Sequence, residues 1–406
     1  MTSKTSIITT FLFLLSHFVF CQKSIEGIVF DAKDEKPIPF AKVYINNSTI
    51  GVLSDENGKF KLKNIFSNEI NLIVSYVGYK TYSQKIKPDT LSKALSLFLE
   101  EDLITLKPLI VRQLKNGYER YFPLFLEHFI GNTQFSDQCK LKKPKDLIFI
   151  LSDDGQELTI KSNKSLKIDN KALGYIVKYD LEEFTYNFRT SYVSYFGYGF
   201  FEEKKGTKSR DEKFIANRKK AYLGSSQHYL KTLINGNSQT EGFKTYQLKR
   251  INKKTQQVNT ASENRDSLGN IIPSKLFFWK KLADSSLLKI ETNDSLKRIQ
   301  SPTYSNSIQY IYKTPLKDSS LIQVSNNEFY LDFNDLIYIV YDKEKEEPRF
   351  NPNKGKNLPQ VSIVSLIDRT ILVNKNGYLA DPLSVIYEGR WAQEKMGEFL
   401  PIDYLP

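Results

Sequence analysis

The four residues Asp55-Glu56-Asn57-Gly58 constrain this chain more than any others. They lie between Gly51-Val52-Leu53 and Lys59-Phe60-Lys61-Leu62, the latter alternating polar and apolar side chains. Gly58 can adopt positive φ at little cost, so the run reads as the tight turn of a β-hairpin. Val43 and Ile45 alternate with Lys42, Tyr44 and Asn46, and Leu72, Val74 and Tyr76 alternate with Asn71, Ile73 and Ser75. That period of two is the mark of half-buried strands. Pro37 and Pro39 hold the backbone extended and remove donors, as at the entry to an edge strand. Gly78 marks a bend, and Leu95, Leu97 and Leu99 read as a last strand before Glu100-Glu101-Asp102. Residues 22–100 are expected to form a small β-sandwich, with 101–114 as a connector.

The rest of the chain is too long to be a continuation of that sandwich, since 406 residues predict two domains. Phe (27) and Tyr (24) far outnumber Trp, Met and Cys, at two each, and that balance favours strands. The expected fold is mainly β, with a larger antiparallel β-rich domain over 115–406. The formal charge of +12 allows long-range attraction to acidic glycan, anionic lipid or nucleic acid, but says nothing of fold.

Residues 1–21 have the layout of a secretory signal peptide. Lys4 supplies a positive start, residues 7–20 an apolar stretch, and Val19-Phe20-Cys21 a small residue before Gln22. Thr9, Thr10, Ser16 and His17 interrupt it too often for a span of about 20 apolar residues. Cys21 read as a lipid-attachment cysteine is the alternative, although Phe18-Val19-Phe20 lacks the small residues that usually precede one. Cleavage after Cys21 leaves Cys139 as the single cysteine, so no internal disulfide can form. The expectation is an exported protein of the periplasm, outer membrane or cell surface.

Four segments carry a family resemblance: Gly27-Ile28-Val29-Phe30-Asp31, Lys36-Pro37-Ile38-Pro39-Phe40-Ala41-Lys42-Val43, Ser54-Asp55-Glu56-Asn57-Gly58-Lys59-Phe60 and Val74-Ser75-Tyr76-Val77-Gly78-Tyr79. Together they resemble the carboxypeptidase regulatory-like domain. The resemblance implies a transthyretin-like, immunoglobulin-like sandwich of seven or eight strands. Such domains are appended to larger proteins, often at the start of TonB-dependent receptors of Gram-negative bacteria. Lys36 stands where many members have Gly. Phe129-Ile130-Gly131-Asn132-Thr133 with Cys139, Gly389-Arg390-Trp391, and Leu400-Pro401-Ile402-Asp403-Tyr404 resemble segments of stand-alone secreted relatives.

The resemblance brings no chemistry with it. Zinc carboxypeptidases need a His-x-x-Glu pair and a distant His, whereas His128 and His228 are followed by Phe-Ile-Gly and Tyr-Leu-Lys. Asp55-Glu56-Asn57-Gly58 lacks the spaced carboxylates of a calcium loop. Gly224-Ser225-Ser226 is not a nucleophile elbow, and Gly197-Tyr198-Gly199 has no third glycine to cradle phosphate. Glu182-Glu183 and Glu202-Glu203 are adjacent pairs, which in strands point to opposite faces. Cys139 has no visible partner His. No catalytic, cofactor-binding or metal-binding residue is assigned. Asp89-Thr90-Leu91, Asp266-Ser267-Leu268 and Asp294-Ser295-Leu296 match a short O-glycosylation pattern, which an intact mass would test.

In the second domain, residues 115–131 place Tyr118, Phe122, Phe125, Leu126 and Phe129 at helical spacing, with Pro123 inside and Gly131 as a stop. Further helices are expected at 225–234 and 390–400, with Trp391 anchoring the last. Strands are expected at 147–151 and 158–160 around Asp153-Asp154-Gly155, at 173–181, 192–201, 308–312, 329–333, 336–341, 361–366, 371–373 and 383–387. Loops are expected at 202–213, 252–270 and 342–359. The basic runs Arg218-Lys219-Lys220 and 140–145 are read as solvated faces, without nucleic acid. The functional expectation is a non-catalytic cell-envelope accessory or binding protein, whose partner is an unknown envelope protein or glycan, with peripheral outer-membrane association. A secreted hydrolase gathering Asp or Glu with His128, His228 or Ser225 is the alternative, and a small outer-membrane barrel the third reading.

Overall fold

A computed structural model describes residues 23–65, 67, 69–102, 114–142, 146–252, 287–289, 307–350 and 357–406. The chain divides into two compact units, residues 1–104 and 105–406. The signal segment, Cys21, Ser267, Ser295, most of the connector and most of the 252–270 loop lie outside the described residues.

Among the described residues the first unit has seven strands: β1 (Lys23–Asp31), β2 (Lys42–Ile45), β3 (Gly51–Leu53), β4 (Lys59–Ile65), β5 (Ile70–Ser75), β6 (Tyr82–Ile86) and β7 (Leu95–Leu99). They form a three-stranded sheet, β4-β1-β7, and a four-stranded sheet, β3-β2-β5-β6. The alternation seen in sequence buries Ile25, Val29, Leu62, Leu97 and Leu99 from one sheet and Val43, Ile45, Leu72 and Val74 from the other. Burying these aliphatic side chains is the main favourable term in the unit, at about 1.5–3 kcal/mol each relative to exposure. Asp55-Glu56-Asn57-Gly58 is indeed a tight turn, with the Gly58 N–H donating to the Asp55 carbonyl (3.0 Å) and Gly58 at φ +71°. It is not a hairpin, however: β3 pairs with β2 and β4 with β1, so the turn carries the chain from one sheet to the other. The pairing partners lie elsewhere in sequence, and a turn signal cannot report them.

The second unit opens with helix α1 (Gly117–Phe129), which buries Tyr121, Phe125 and Phe129 and ends at Gly131 (φ +97°), as the spacing predicts. Its sheet contains β8 (Cys139–Lys142), β9 (Leu147–Leu151), β10 (Glu157–Ser162), β11 (Leu166–Asn170), β12 (Tyr175–Asn187) and β13 (Tyr192–Glu203). β10 and β11 both pair antiparallel with β12, one with each half of it, and β9 and β8 flank them in turn. β13 runs along the other side of β12, with a register shift between Leu181 and Glu183. The break between β10 and β11 and this shift fall at one level. Aligned breaks of this kind bend a sheet. Phe125 and Phe129 of α1 pack on Phe184, Tyr179 and Tyr195, with ring centroids 5.1–5.4 Å apart.

Helices α2 (Lys208–Tyr222) and α3 (Ser226–Asn235) follow. Next come β14 (Phe243–Asn252), β15 (Leu287–Lys289), β16 (Ser307–Pro315), β17 (Ile322–Ser325), β18 (Glu328–Leu331), β19 (Leu336–Lys345), β20 (Pro359–Leu366), β21 (Ile371–Val373), β22 (Val385–Gly389) and a single turn, α4 (Arg390–Gln393). Their sheets run β15-β16-β14-β19-β20-β22 and β17-β18-β21.

Three expectations are corrected. The 202–213 loop holds the end of β13 and the start of α2, whose buried residues are Phe214, Arg218, Ala221 and Tyr222. An arginine at a core position hides the apolar stripe. The 342–359 loop includes the end of β19 and buries Glu346 and Glu347 to a large extent. The helix at 390–400 stops at Gln393, because the N–H groups of Met396 and Gly397 donate to the carbonyls of Phe129 (3.1 Å) and Ile130 (2.9 Å). Those donors are therefore unavailable to a helix.

Candidate functional site

The residues singled out for chemistry are held apart or already engaged. Ser225 caps α3: its Oγ accepts from the His228 N–H (3.2 Å) and donates to the Tyr222 carbonyl (2.7 Å). His228 accepts the Gly224 N–H at Nδ1 (3.2 Å), and its Nε2 lies 3.8 Å from Glu241. Its ring is packed by Tyr222, Phe243 and Tyr341. The serine hydroxyl and the imidazole thus serve the helix start rather than each other. Burial lowers the His228 pKa to about 4, with Glu241 opposing the shift and Lys343 and Lys231 adding to it.

The stability linked to His228 is full above the unfolded value of about 6.5 and is lost as pH falls toward 4, because only the unfolded chain takes up the proton in that interval. The wild type is expected to lose roughly 3 kcal/mol more than His228→Gln between pH 7 and pH 4. Urea titrations at the two pH values measure it, and equal losses would contradict the assignment.

His128 stacks on Tyr186 (4.9 Å) and is half-buried, which lowers its pKa. Glu183 pairs with Lys161 (3.0 Å), Glu202 with Lys178 (2.6 Å) and Glu203 with Arg218 (2.8 Å), so these three carboxylates are engaged in ion pairs. Lys219 and Lys220 are exposed, as read for their run, but Arg218 is buried. Its guanidinium lies 3.9 Å from the Tyr175 ring centroid, and Nε donates to the Leu173 carbonyl (2.8 Å). Thr90 is exposed, its hydroxyl donating to the Lys87 carbonyl (2.9 Å). Among the described residues, no three His, Cys, Asp or Glu side chains gather as a metal ligand set. Nor, among the described residues, is any helix long and apolar enough to cross a membrane.

Two built features were not legible in the sequence. The first surrounds Arg390, whose Nη2 contacts both Glu398 carboxylate oxygens at 3.1 Å and whose Nη1 reaches Glu347 (3.0 Å) and Glu346 (3.8 Å). Glu394 lies 3.9 Å from Nε. Burial raises the carboxyl pKa values of Glu394, Glu398 and Glu346, and the arginine pulls them back. Arg349 extends the group through Asp137 (2.7 Å) and Glu347 (3.4 Å). Trp391 anchors the same turn, its Nε1 donating to the Gly224 carbonyl (2.8 Å).

The second is a groove of about 340 Å³ between α1 and β8, lined by Phe122, Leu126, Ile130, Cys139 and Leu141 together with the polar Glu127, Ser136 and Lys140. Burial pushes the Cys139 thiol up to about 12, and Asp169, Glu398 and Asp137 add to the effect. A thiol protonated at pH 8 is a poor nucleophile. Native Cys139 is expected to alkylate with iodoacetamide at pH 8 about 10³-fold more slowly than in urea. Similar rates in both states would show an activated thiol instead.

Two facing sheets of three and four strands make the first unit an immunoglobulin-like β-sandwich, a fold that is not catalytic. Residues 25–111 match the family model of the CarboxypepD_reg-like domain, so the chain carries a carboxypeptidase regulatory-like domain at its sandwich. No curated protein matches the chain. Among solved structures, it is similar to a chain of a type II cohesin–X-dockerin complex from Acetivibrio cellulolyticus, at 19% identity over 19% of this chain and 56% of that one, with a TM-score of 0.16. It is also similar to the Bacillus anthracis TIE protein, at 12% identity over 46% and 32%, with a TM-score of 0.16. A putative membrane-associated protein of unknown function from Bacteroides fragilis aligns over 91% of this chain and 93% of its own at 10% identity, with a TM-score of 0.16. This chain thus spans about half of the first of these and a third of the second. Scores of this size define no common fold.

Proposed function

We propose that the chain is an exported, non-catalytic accessory or binding protein of the bacterial cell envelope, with the sandwich as an adaptor and the β-rich unit as the part that holds a partner. The observation that carries this reading is the regulatory-like domain at residues 25–111, a non-catalytic fold joined here to a second unit with its own core. The signal-like layout of residues 1–21 and the charge of +12 support export and contact with anionic envelope surfaces. In the second unit, the engaged hydroxyl of Ser225 and the buried imidazole of His228 serve the start of α3.

The test is fractionation of cells expressing the full chain into cytoplasm, periplasm, outer membrane and medium, with the mass of the recovered protein. Recovery beyond the inner membrane, with loss of residues 1–21 or a lipid on Cys21, is the expected result. Cytoplasmic recovery at full mass would overturn the reading.

A further inference from the structure

β8 is an edge strand. It pairs with β11 on one side, and no described strand pairs with the other. The phase of the ladder is set just before it, where the Lys171 N–H donates to the Gln138 carbonyl (3.2 Å). Backbone direction alternates along an antiparallel strand, so Lys140 and Lys142 turn their N–H and C=O groups toward β11, and Leu141 turns its own toward the open edge. The Cys139 N–H is already taken by the Ser136 carbonyl, which leaves the Cys139 carbonyl beside the Leu141 pair. Side chains alternate as well. Cys139 and Leu141 line the groove beneath α1, while Lys140 and Lys142 are exposed. On the exposed face Lys142 lies directly opposite Lys167 of β11 and Lys140 opposite Asp169, whose carboxylate pairs with Lys142 (3.6 Å) and Lys204 (2.6 Å), so three lysines of the two strands share one acidic residue.

A strand added at this edge would meet the groove beneath α1 with every second side chain and, with the others, a face on which Lys140, Lys142 and Lys167 outnumber Asp169. We propose that β8 is a strand-addition site for an extended segment of a partner polypeptide in which apolar residues alternate with Asp or Glu. Main-chain bonds to Leu141 and Cys139 set its register. Its apolar side chains enter the cavity between Phe122, Leu126, Ile130 and Leu141. Its carboxylates meet Lys140, Lys142 and Lys167 and compete with Asp169 for Lys142. The inference rests on the reading of the chain as a binding protein and names the chemistry of the partner. β8 is four residues long, so the segment it takes is short.

The probe is a labelled, end-capped peptide of four Val-Glu repeats, titrated against the full chain by fluorescence anisotropy, alongside two isomers N-methylated at every Val or at every Glu. Antiparallel addition requires the N–H groups of the residues facing Leu141, which are the apolar ones. Methylation at Val should weaken binding at least about tenfold, and methylation at Glu should leave it unchanged. The reverse pattern supports parallel addition at the same edge. Lys140→Glu combined with Lys142→Glu changes two exposed side chains, one of them paired with Asp169 (3.6 Å), and an unchanged thermal melt checks that the fold is retained. The double substitution should weaken the Val-Glu peptide by a similar factor and create binding to a Val-Lys peptide. Equal binding of both isomers, or no binding, overturns the site. So does a dimer of this chain that the double substitution dissociates, since the occupant is then a second copy. None of these results bears on the export reading, which fractionation decides separately.

Discussion

Arg390→Met is expected to destabilise the second unit by about 3–5 kcal/mol, because it leaves buried carboxylates without their cation. The Arg390 side chain is 8% exposed and that of Glu398 3%, so water cannot replace the lost partner. For a unit of this size the loss corresponds to a fall in melting temperature of about 10 °C. The effect should depend on pH with a definite sign. Glu394, Glu398 and Glu346 carry raised pKa values in the fold, so their protonated forms are favoured there. A raised carboxyl contributes stability below its unfolded pKa and loses it as pH rises through the folded one. The defect of Arg390→Met should therefore be smaller at pH 5 than at pH 8. Adding Glu398→Leu should restore part of the loss, since a buried pair replaced by apolar groups is often close to neutral. Thermal melts of the three proteins at both pH values measure this, and a shift under about 2 °C for the single variant would show that Arg390 does not hold the segment.

Phe129→Ala is the second large effect, at about 3–5 kcal/mol. Phe129 is fully buried, stacked on Phe125 (4.9 Å) and set edge-on against Tyr179 (5.4 Å) and Tyr195 (5.3 Å), so its removal leaves a cavity where α1 meets the sheet. Because the two units have separate cores, only the transition of the second unit should move in urea. Phe40→Ala, at a side chain 58% exposed in the first unit, should change stability by less than about 0.5 kcal/mol. Loss of both transitions together in Phe129→Ala would show that the units unfold as one.

Hydrophobic periodicity located most of the regular elements, because it reports local geometry directly. β9, β21 and the hairpin at Asp153-Asp154-Gly155 fall where alternation and turn chemistry put them, with Gly155 at φ +68°. α1 is found from apolar spacing and its closing Gly131, and α3 from apolar spacing alone, its closing Gly236 emerging only in the structure. α2 escaped notice because its core stripe contains Arg218, which is buried by stacking on Tyr175 and bonding to the Leu173 carbonyl 45 residues away. No sequence pattern marks that arginine as a core residue.

The candidate site was less legible than the fold. Leu141 between two lysines is consistent with a strand, but the groove exists only because the second half of α1 overhangs that strand. Arg390 finds its acidic partner Glu347 43 residues upstream, and Asn170 Nδ2 donates to the Gly397 carbonyl (2.9 Å) 227 residues away. Sequence alone determined that the chain is mainly β, that it begins with a regulatory-like sandwich, and where its tight turns lie, since alternation and positive-φ glycines are properties of neighbouring residues. Tertiary structure decided which strands pair across the turn at Gly58, how far the last helix runs, and which charges are buried together. Those outcomes depend on hydrogen bonds and ion pairs between residues far apart in the chain, and only folding brings these residues within reach of one another.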